Sequence, residues 1–186
     1  SFRHALFQTV SIASTTGFAS SDFNLWPDFS RYVLLLLMFV GGCSGSTAGG
    51  MKVSRFVILL KVTWAELRRT IHPRLVYSIK MGGRNVPPVV VGNVTRFFYL
   101  YMIVFSTLTL LISLTGLSML DSMGIIAACM SSVGPAFGIV GPTATYADVS
   151  TFGRLVVIAA MILGRLEIFT LLIIMRPDFW RVKRNW

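Results

Sequence analysis

The segments Ser14-Thr15-Thr16-Gly17-Phe18-Ala19 and Ser131-Ser132-Val133-Gly134-Pro135-Ala136 share one pattern: Ser, Thr or Ser, Thr or Val, Gly, Phe or Pro, Ala. Each precedes a long apolar stretch. Glycine in an extended, hydroxyl-rich run lets backbone carbonyls turn to one side. Rings of such carbonyls can replace the hydration shell of a K+ ion. The carbonyls of Thr15, Thr16, Gly17 and Phe18, and of Ser132, Val133, Gly134 and Pro135, are therefore candidate ligands for a dehydrated cation. The competing reading makes Gly17 and Gly134 simple helix C-caps. The repetition of the segment, and the shortness of the helix before each copy, favour the ion-coordinating reading.

Two further features could control such a path. The first is Gly41-Gly42-Cys43-Ser44-Gly45-Ser46-Thr47-Ala48-Gly49-Gly50, with five glycines in ten residues inside an otherwise apolar stretch. That density makes a continuous helix unfavourable. Irregular backbone at membrane depth is tolerated only when buried in protein or lining a watery cavity. The alternative is close helix packing through small residues, which explains isolated glycines better than a cluster. The second feature is Arg165, a charge within an apolar span and so a functional candidate. It could raise a barrier in a cation path and bond to carbonyls of the Gly-rich stretch, or it could form a structural ion pair. Glu167 is a poor intrahelical partner, because residues two apart do not face each other; a pair with another helix stays open. Lys52 could line an inner vestibule or snorkel.

These groups need a scaffold, and composition names its class. The chain has 186 residues, 54% of them hydrophobic, with a formal charge of +10 and a mean hydropathy of +0.73. This is a membrane composition. The basic residues cluster between apolar stretches and at the C-terminus, as in positive-inside loops, and no base-reading motif accompanies them. No nucleic-acid partner is expected; membrane lipids are. Cys43 and Cys129 read as small packing residues. His4 and His72 have no partners at ligand spacing, and no nucleophile–base constellation is present, so no enzyme is expected. The first residue is not Met, and the chain is expected to belong to a longer polypeptide or to lack earlier residues.

The elements follow. Phe2 to Ser14 covers roughly two-thirds of a bilayer core as a helix and reads as re-entrant. Ser20 to Phe29 is a polar loop with Trp26 at an interface. Arg31 to Val62 is a helix broken by the Gly-rich stretch. Lys61 to Arg96 is the basic, cytoplasmic loop, with Gly82-Gly83 and Pro87-Pro88 marking a turn or a mobile segment. Phe97 to Leu117 reads as a full span. Asp121 to Met130 is a second short helix, with Asp121 placed to cap or start it. Gly138 to Ser150 is an outer loop, and Leu155 to Met175 is the last span. Arg181, Lys183 and Arg184 put the tail on the side of the basic loop, with both filter-like segments facing outside. The corresponding divisions are 1–62, a basic loop 63–96, a second unit 97–175 and a tail 176–186.

A register supports duplication. The filter glycines are 117 positions apart. Phe29-Ser30-Arg31 and Phe152-Gly153-Arg154, at the heads of the two descending helices, are 123 positions apart, and that offset also pairs Met38 with Met161 and Gly41 with Gly164. Ten residues of helix from Arg31 to Gly41 span about 15 Å, roughly half the hydrocarbon core. The Gly-rich stretch and Arg165 are therefore expected at one depth, near the midplane, as a constriction.

At these residues the chain resembles the Trk/Ktr/HKT superfamily of potassium transporters. The resemblance rests on Ser-Thr-Thr-Gly-Phe, on the Gly-rich break followed by Met51-Lys52, on Ser-Val-Gly-Pro, and on Gly164-Arg165-Leu166-Glu167. It implies an all-α integral membrane fold of K+-channel-like repeats: transmembrane helix, re-entrant pore helix, filter, transmembrane helix. The chain matches the last two of four such repeats, the third without its first span. The resemblance further implies four filter segments around one pore, K+ as the transported ion, a homodimer, a cytosolic nucleotide-binding regulatory ring and, for the bacterial branch, the inner membrane. Glycine in each filter is the family's mark of K+ preference, and Gly17 and Gly134 fit it. Ala136 departs from a frequent glycine, which bears on local flexibility. The expected function is K+ uptake through a pseudo-fourfold pore, with residues 41–50 and Arg165 as the gate. The alternatives are a Na+-permeable or Na+- or H+-coupled transporter of the same fold, and a non-conducting scaffold. Two repeats cannot enclose a fourfold pore, so further repeats or another copy are expected to complete it.

Overall fold

The computed structural model describes residues 2–72 and 78–165. In chain order the helices are α1 (Phe2–Ala13), α2 (Asp28–Val40), α3 (Val53–Ile71), α4 (Pro88–Ser113), α5 (Met119–Met130) and α6 (Thr151–Arg165). Single 3-10 turns at Phe23–Leu25, Gly138–Val140 and Tyr146–Asp148 shape the loops after α1 and α5. A small hairpin pairs Lys80–Met81 with Arg84–Asn85. Gly82 and Gly83 both take positive φ, as a tight two-residue turn of matching twist requires.

Helix α5 is the centre of the core. From Gly124 to Met130 every residue is buried, because α4, α6 and α2 all pack against it. A short helix apolar on all sides fits such an interior position. Its Ser118 side chain accepts the Asp121 backbone N–H at 3.1 Å, so Ser118, not Asp121, is the N-cap. Asp121 sits inside the first turn, where a carboxylate meets the positive helix end.

Helix α4 starts at Pro88, nine residues before the expected Phe97. Proline suits the first turn, where its missing N–H would have no helical partner anyway. At 26 residues α4 is long and apolar enough to cross a membrane. Likewise α3 runs to Ile71, so both flanks of the basic loop are helical. α4, α5 and α6 contact one another pairwise, α1 packs on α2, and α2 also touches α5. The first half of the chain thus meets the second through α2 on α5 and through α3 on α4. The second half of the expected last span, Glu167, Arg74 and the basic tail lie outside the described residues.

Asn24 holds both backbone groups of Gly138. Its Nδ2 donates to the Gly138 carbonyl at 3.2 Å, and the Gly138 N–H donates to Oδ1 at 3.1 Å. Phe23 and Phe137 pack edge to face beside it, with ring centroids 5.3 Å apart. This clasp joins the loop after one short helix to the loop after the other.

Candidate ion-coordinating segments and intramembrane loop

The duplication is visible in backbone geometry. α1 and α5 are each 12 residues and occupy equivalent positions 117 apart. Both end the same way. Thr15 N–H donates to the Ile12 carbonyl at 3.0 Å and Thr16 N–H to Ser11 at 2.9 Å. Ser132 N–H donates to Cys129 at 3.1 Å and Val133 N–H to Ala128 at 2.9 Å. These paired bonds are a Schellman cap, whose left-handed residue is usually glycine. Here it is Thr15 (φ 55°) and Ser132 (φ 56°). The cap is therefore complete before Gly17 and Gly134 are reached, which removes the simple C-cap reading of those glycines.

Two residues later the left-handed conformation recurs, at Gly17 (φ 81°) and Gly134 (φ 103°). Left-handed backbone at the first and third positions, and not at the second, gives the two segments one backbone pattern. A β-branched threonine at positive φ is costly, and such strain concentrates at functional sites. The partly negative C-terminal ends of α1 and α5 lead into these segments. The two segments also touch: a Cβ on Gly17 would lie 2.0 Å from the Val133 carbonyl oxygen and 3.3 Å from the Pro135 ring. Gly17, Phe18, Ala19, Gly134, Pro135 and Tyr146 border a cavity of about 350 Å³ at the C-terminal ends of the two segments. Ala136 is fully buried, and its N–H donates to the Val140 carbonyl at 2.9 Å.

The Gly-rich stretch is a closed loop between α2 and α3. Its neck is tied by Met51 N–H to the Phe39 carbonyl (3.1 Å) and Val53 N–H to Gly42 (3.0 Å). Gly41 and Gly50 pass so closely at the neck that a Cβ on Gly41 would lie 2.3 Å from the Gly49 carbonyl oxygen. The loop lies against the base of the second segment, since a Cβ on Gly49 would fall 2.1 Å from the Ser131 carbonyl oxygen. Two cations hold its carbonyls: Lys52 Nζ donates to Ser46, and Arg165 Nη1 donates to Thr47 at 2.9 Å. The Ser44 and Ser54 hydroxyls are bonded to one another, and Cys43 is exposed.

Arg165 occupies the junction of the two features. It lines a cavity of about 270 Å³ together with Ser46 to Gly50, Lys52 and Tyr101. It also lines a second, of about 350 Å³, with Cys129, Ser132, Val133 and Gly134. A bond to a loop carbonyl is one of the two roles open to Arg165 from sequence, the other being an ion pair. Gly164 makes this placement feasible: a Cβ there would meet the Met130 carbonyl oxygen at 2.0 Å. Gly164→Ala should therefore lower stability by about 1–3 kcal/mol through overpacking. Thermal unfolding of the full-length protein in detergent checks this, and an unchanged midpoint would contradict the close approach of α6 to α5.

Three participants were not singled out by the sequence: Asn24, Ser118 and Tyr146. Ser118 had a signal, as Ser-x-x-Asp ahead of an apolar run. Asn24 and Tyr146 act across distant loops, and nothing local marks them.

The family model TrkH, described as a cation transport protein, matches residues 1–181. The chain is 46% identical over 180 residues to a Trk system potassium uptake protein TrkH of Vibrio parahaemolyticus, covering 97% of this chain and 37% of that protein. It is 41% identical to TrkH of Escherichia coli strain K12, over 95% of this chain and 36% of that one. With TrkG of the same strain it shares 36% identity, over 97% and 37%. The crystal structure of the potassium transporter TrkH from Vibrio parahaemolyticus superposes with a TM-score of 0.88 at 46% identity, covering 97% of this chain and 38% of that one. The chain thus spans somewhat over a third of the length of these relatives, none of which is named as an enzyme. The repeated capped helices, the looped break between α2 and α3 and these matches lead to one conclusion: the chain belongs to the TrkH family of membrane cation transport proteins.

Proposed function

We propose that this chain supplies two of the filter segments and the intramembrane gate of a K+ uptake pathway in the bacterial inner membrane. The carbonyls of residues 15–18 and 132–135 coordinate dehydrated K+. The 41–50 loop blocks the path below them, and Arg165 holds the loop there. The basic loop and the C-terminus face the cytoplasm, with the filters outside. The complete transporter acts as a homodimer docked on a cytosolic nucleotide-binding ring. The observation that carries this reading is the identical left-handed pattern at Thr15/Gly17 and Ser132/Gly134, with the two segments in contact at Gly17 and Val133.

Gly134→Ser tests it. No described atom lies within 4 Å of a Cβ at this position, so serine enters without a steric clash from the described residues, although φ of +103° strains it. The expected result, for Rb+ uptake competed by Na+ in the full-length protein, is a loss of K+-type preference at normal membrane abundance. Unaltered discrimination would contradict the filter assignment.

A further inference from the structure

Tyr146 reaches from the outer loop to the backbone of the second filter segment. It opens the 3-10 turn Tyr146–Asp148, whose N-cap is Thr145. Its ring packs against the hydrophobic core and borders the cavity at the C-terminal ends of the two segments. Its hydroxyl donates to the Gly134 carbonyl at 2.7 Å. Cys129, in the last turn of α5, places its sulfur 3.5 Å from the same hydroxyl. Since the tyrosine proton goes to Gly134, the thiol is the donor to the tyrosine oxygen, and a chain of donors runs from pore helix to loop to filter. Burial holds the Tyr146 phenol well above its usual pKa, with Cys129 adding to the effect, so the hydroxyl stays a neutral donor.

The bond matters because the Gly134 Cβ position is open, so the tyrosine contact is to the carbonyl itself. Gly17 is backed by the Val133 carbonyl, whereas the space around a Gly134 Cβ is open. The first segment has a hydroxyl tether of its own, Ser11 Oγ donating to the Phe18 carbonyl at 2.6 Å. Each segment therefore has one carbonyl fixed by a side-chain hydroxyl. In the first the donor comes from the pore helix, and in the second from a loop that is six residues longer in register.

We propose that Tyr146 is a positioning residue for ion selection: its hydroxyl fixes the Gly134 carbonyl, and so sets the cation cage of the second filter segment. This rests on the reading of residues 132–135 as filter. A carbonyl oxygen has two lone pairs, so the tyrosine bond leaves one for the ion. With its carbonyl tethered, the cage resists contracting around the smaller Na+. Released, it adapts to Na+ and discrimination falls.

The test is Tyr146→Phe in the full-length protein, in cells lacking their own K+ uptake, with membrane abundance verified. Half-saturation for Rb+ and inhibition by Na+ are read separately. Loss of one neutral hydrogen bond predicts a fall of about 5-fold in the Rb+/Na+ ratio, with the ring and its packing retained. A proportional loss of maximal uptake with an unchanged ratio would reduce Tyr146 to a packing residue and overturn the proposal. Gly134→Ser is run in parallel. If it shifts the ratio and Tyr146→Phe does not, the tether fails and the filter stands; if neither shifts it, the filter reading fails as well. Should Tyr146→Phe not reach the membrane, Cys129→Ala removes the hydroxyl's second partner and leaves the tyrosine. A smaller fall in the same ratio is expected there, and no change would count against the tether.

Discussion

Gly17→Ala is expected to abolish K+ uptake, by at least about 100-fold at equal membrane abundance, the factor produced by roughly 3 kcal/mol on a barrier. Two effects combine. The backbone at Gly17 sits at φ +81°, a region that costs an L-residue about 1–2 kcal/mol. The added methyl would stand 2.0 Å from the Val133 carbonyl oxygen. That obstruction is backbone, not the flexible end of a side chain, so relief requires one filter segment to move away from the other. Both displaced groups are proposed ion ligands. The loss should therefore appear in transport before it appears in folding. Uptake and thermal unfolding in detergent, measured on the same preparation, separate the two. Near-normal uptake would mean that the contact between segments does not shape the ion path. The same substitution at Gly134 should be milder, because no described atom crowds its Cβ position. Two glycines equivalent by sequence are thus unequal by packing.

Arg165→Ala carries the second large effect, in the opposite direction. The guanidinium donates to the Thr47 carbonyl at 2.9 Å, at the junction of the Gly-rich loop and the 132–135 segment. A hydrogen bond from a charged donor contributes about 1.5–3 kcal/mol. On the proposed reading, its removal frees the loop and also takes a positive charge out of the cation path. Flux in the full-length protein should rise by about 10-fold or more. Shortening the 41–50 loop should act in the same sense. Lys52→Ala should have the smaller effect, since Lys52 is bonded to the neighbouring Ser46 carbonyl but does not line the cavity that Arg165 shares with residues 132–134. Unchanged flux in both Arg165→Ala and the shortened loop, at equal expression, would rule out the gate.

Features stored in local composition were readable before any coordinates. The Gly-rich density at 41–50 announced a helix break, and the break lies between Val40 and Val53. A charge in an apolar span singled out Arg165. The shared depth of Arg165 and the break followed from counting helical residues, and the bond to Thr47 agrees with it. The two short helices α1 and α5 are legible as short apolar runs, with ends within two residues of those observed. Features that depend on neighbours distant in sequence were not legible. The start of α4 was set too late because Pro87-Pro88 was read as a turn, when proline in a first helical turn is equally a start signal. The cap of α5 fell on Ser118 because a short hydroxyl side chain reaches the N–H of the third helical residue, while Asp121 lies within the turn itself. The Asn24–Gly138 clasp and the Tyr146 tether join residues 114 and 12 positions apart, and only the fold brings them together. The contact between the two segments also decides which of the two glycines is crowded.

The central claim is that this backbone selects and passes K+. Its most direct test is Rb+ uptake by the full-length protein in cells deficient in K+ uptake, with K+ and Na+ as competitors and the cytosolic partner supplied. Saturable uptake that K+ suppresses at low concentration and Na+ suppresses little is the result the account predicts. Verified surface protein with its partner present and no uptake, or uptake equally suppressed by Na+, would contradict it.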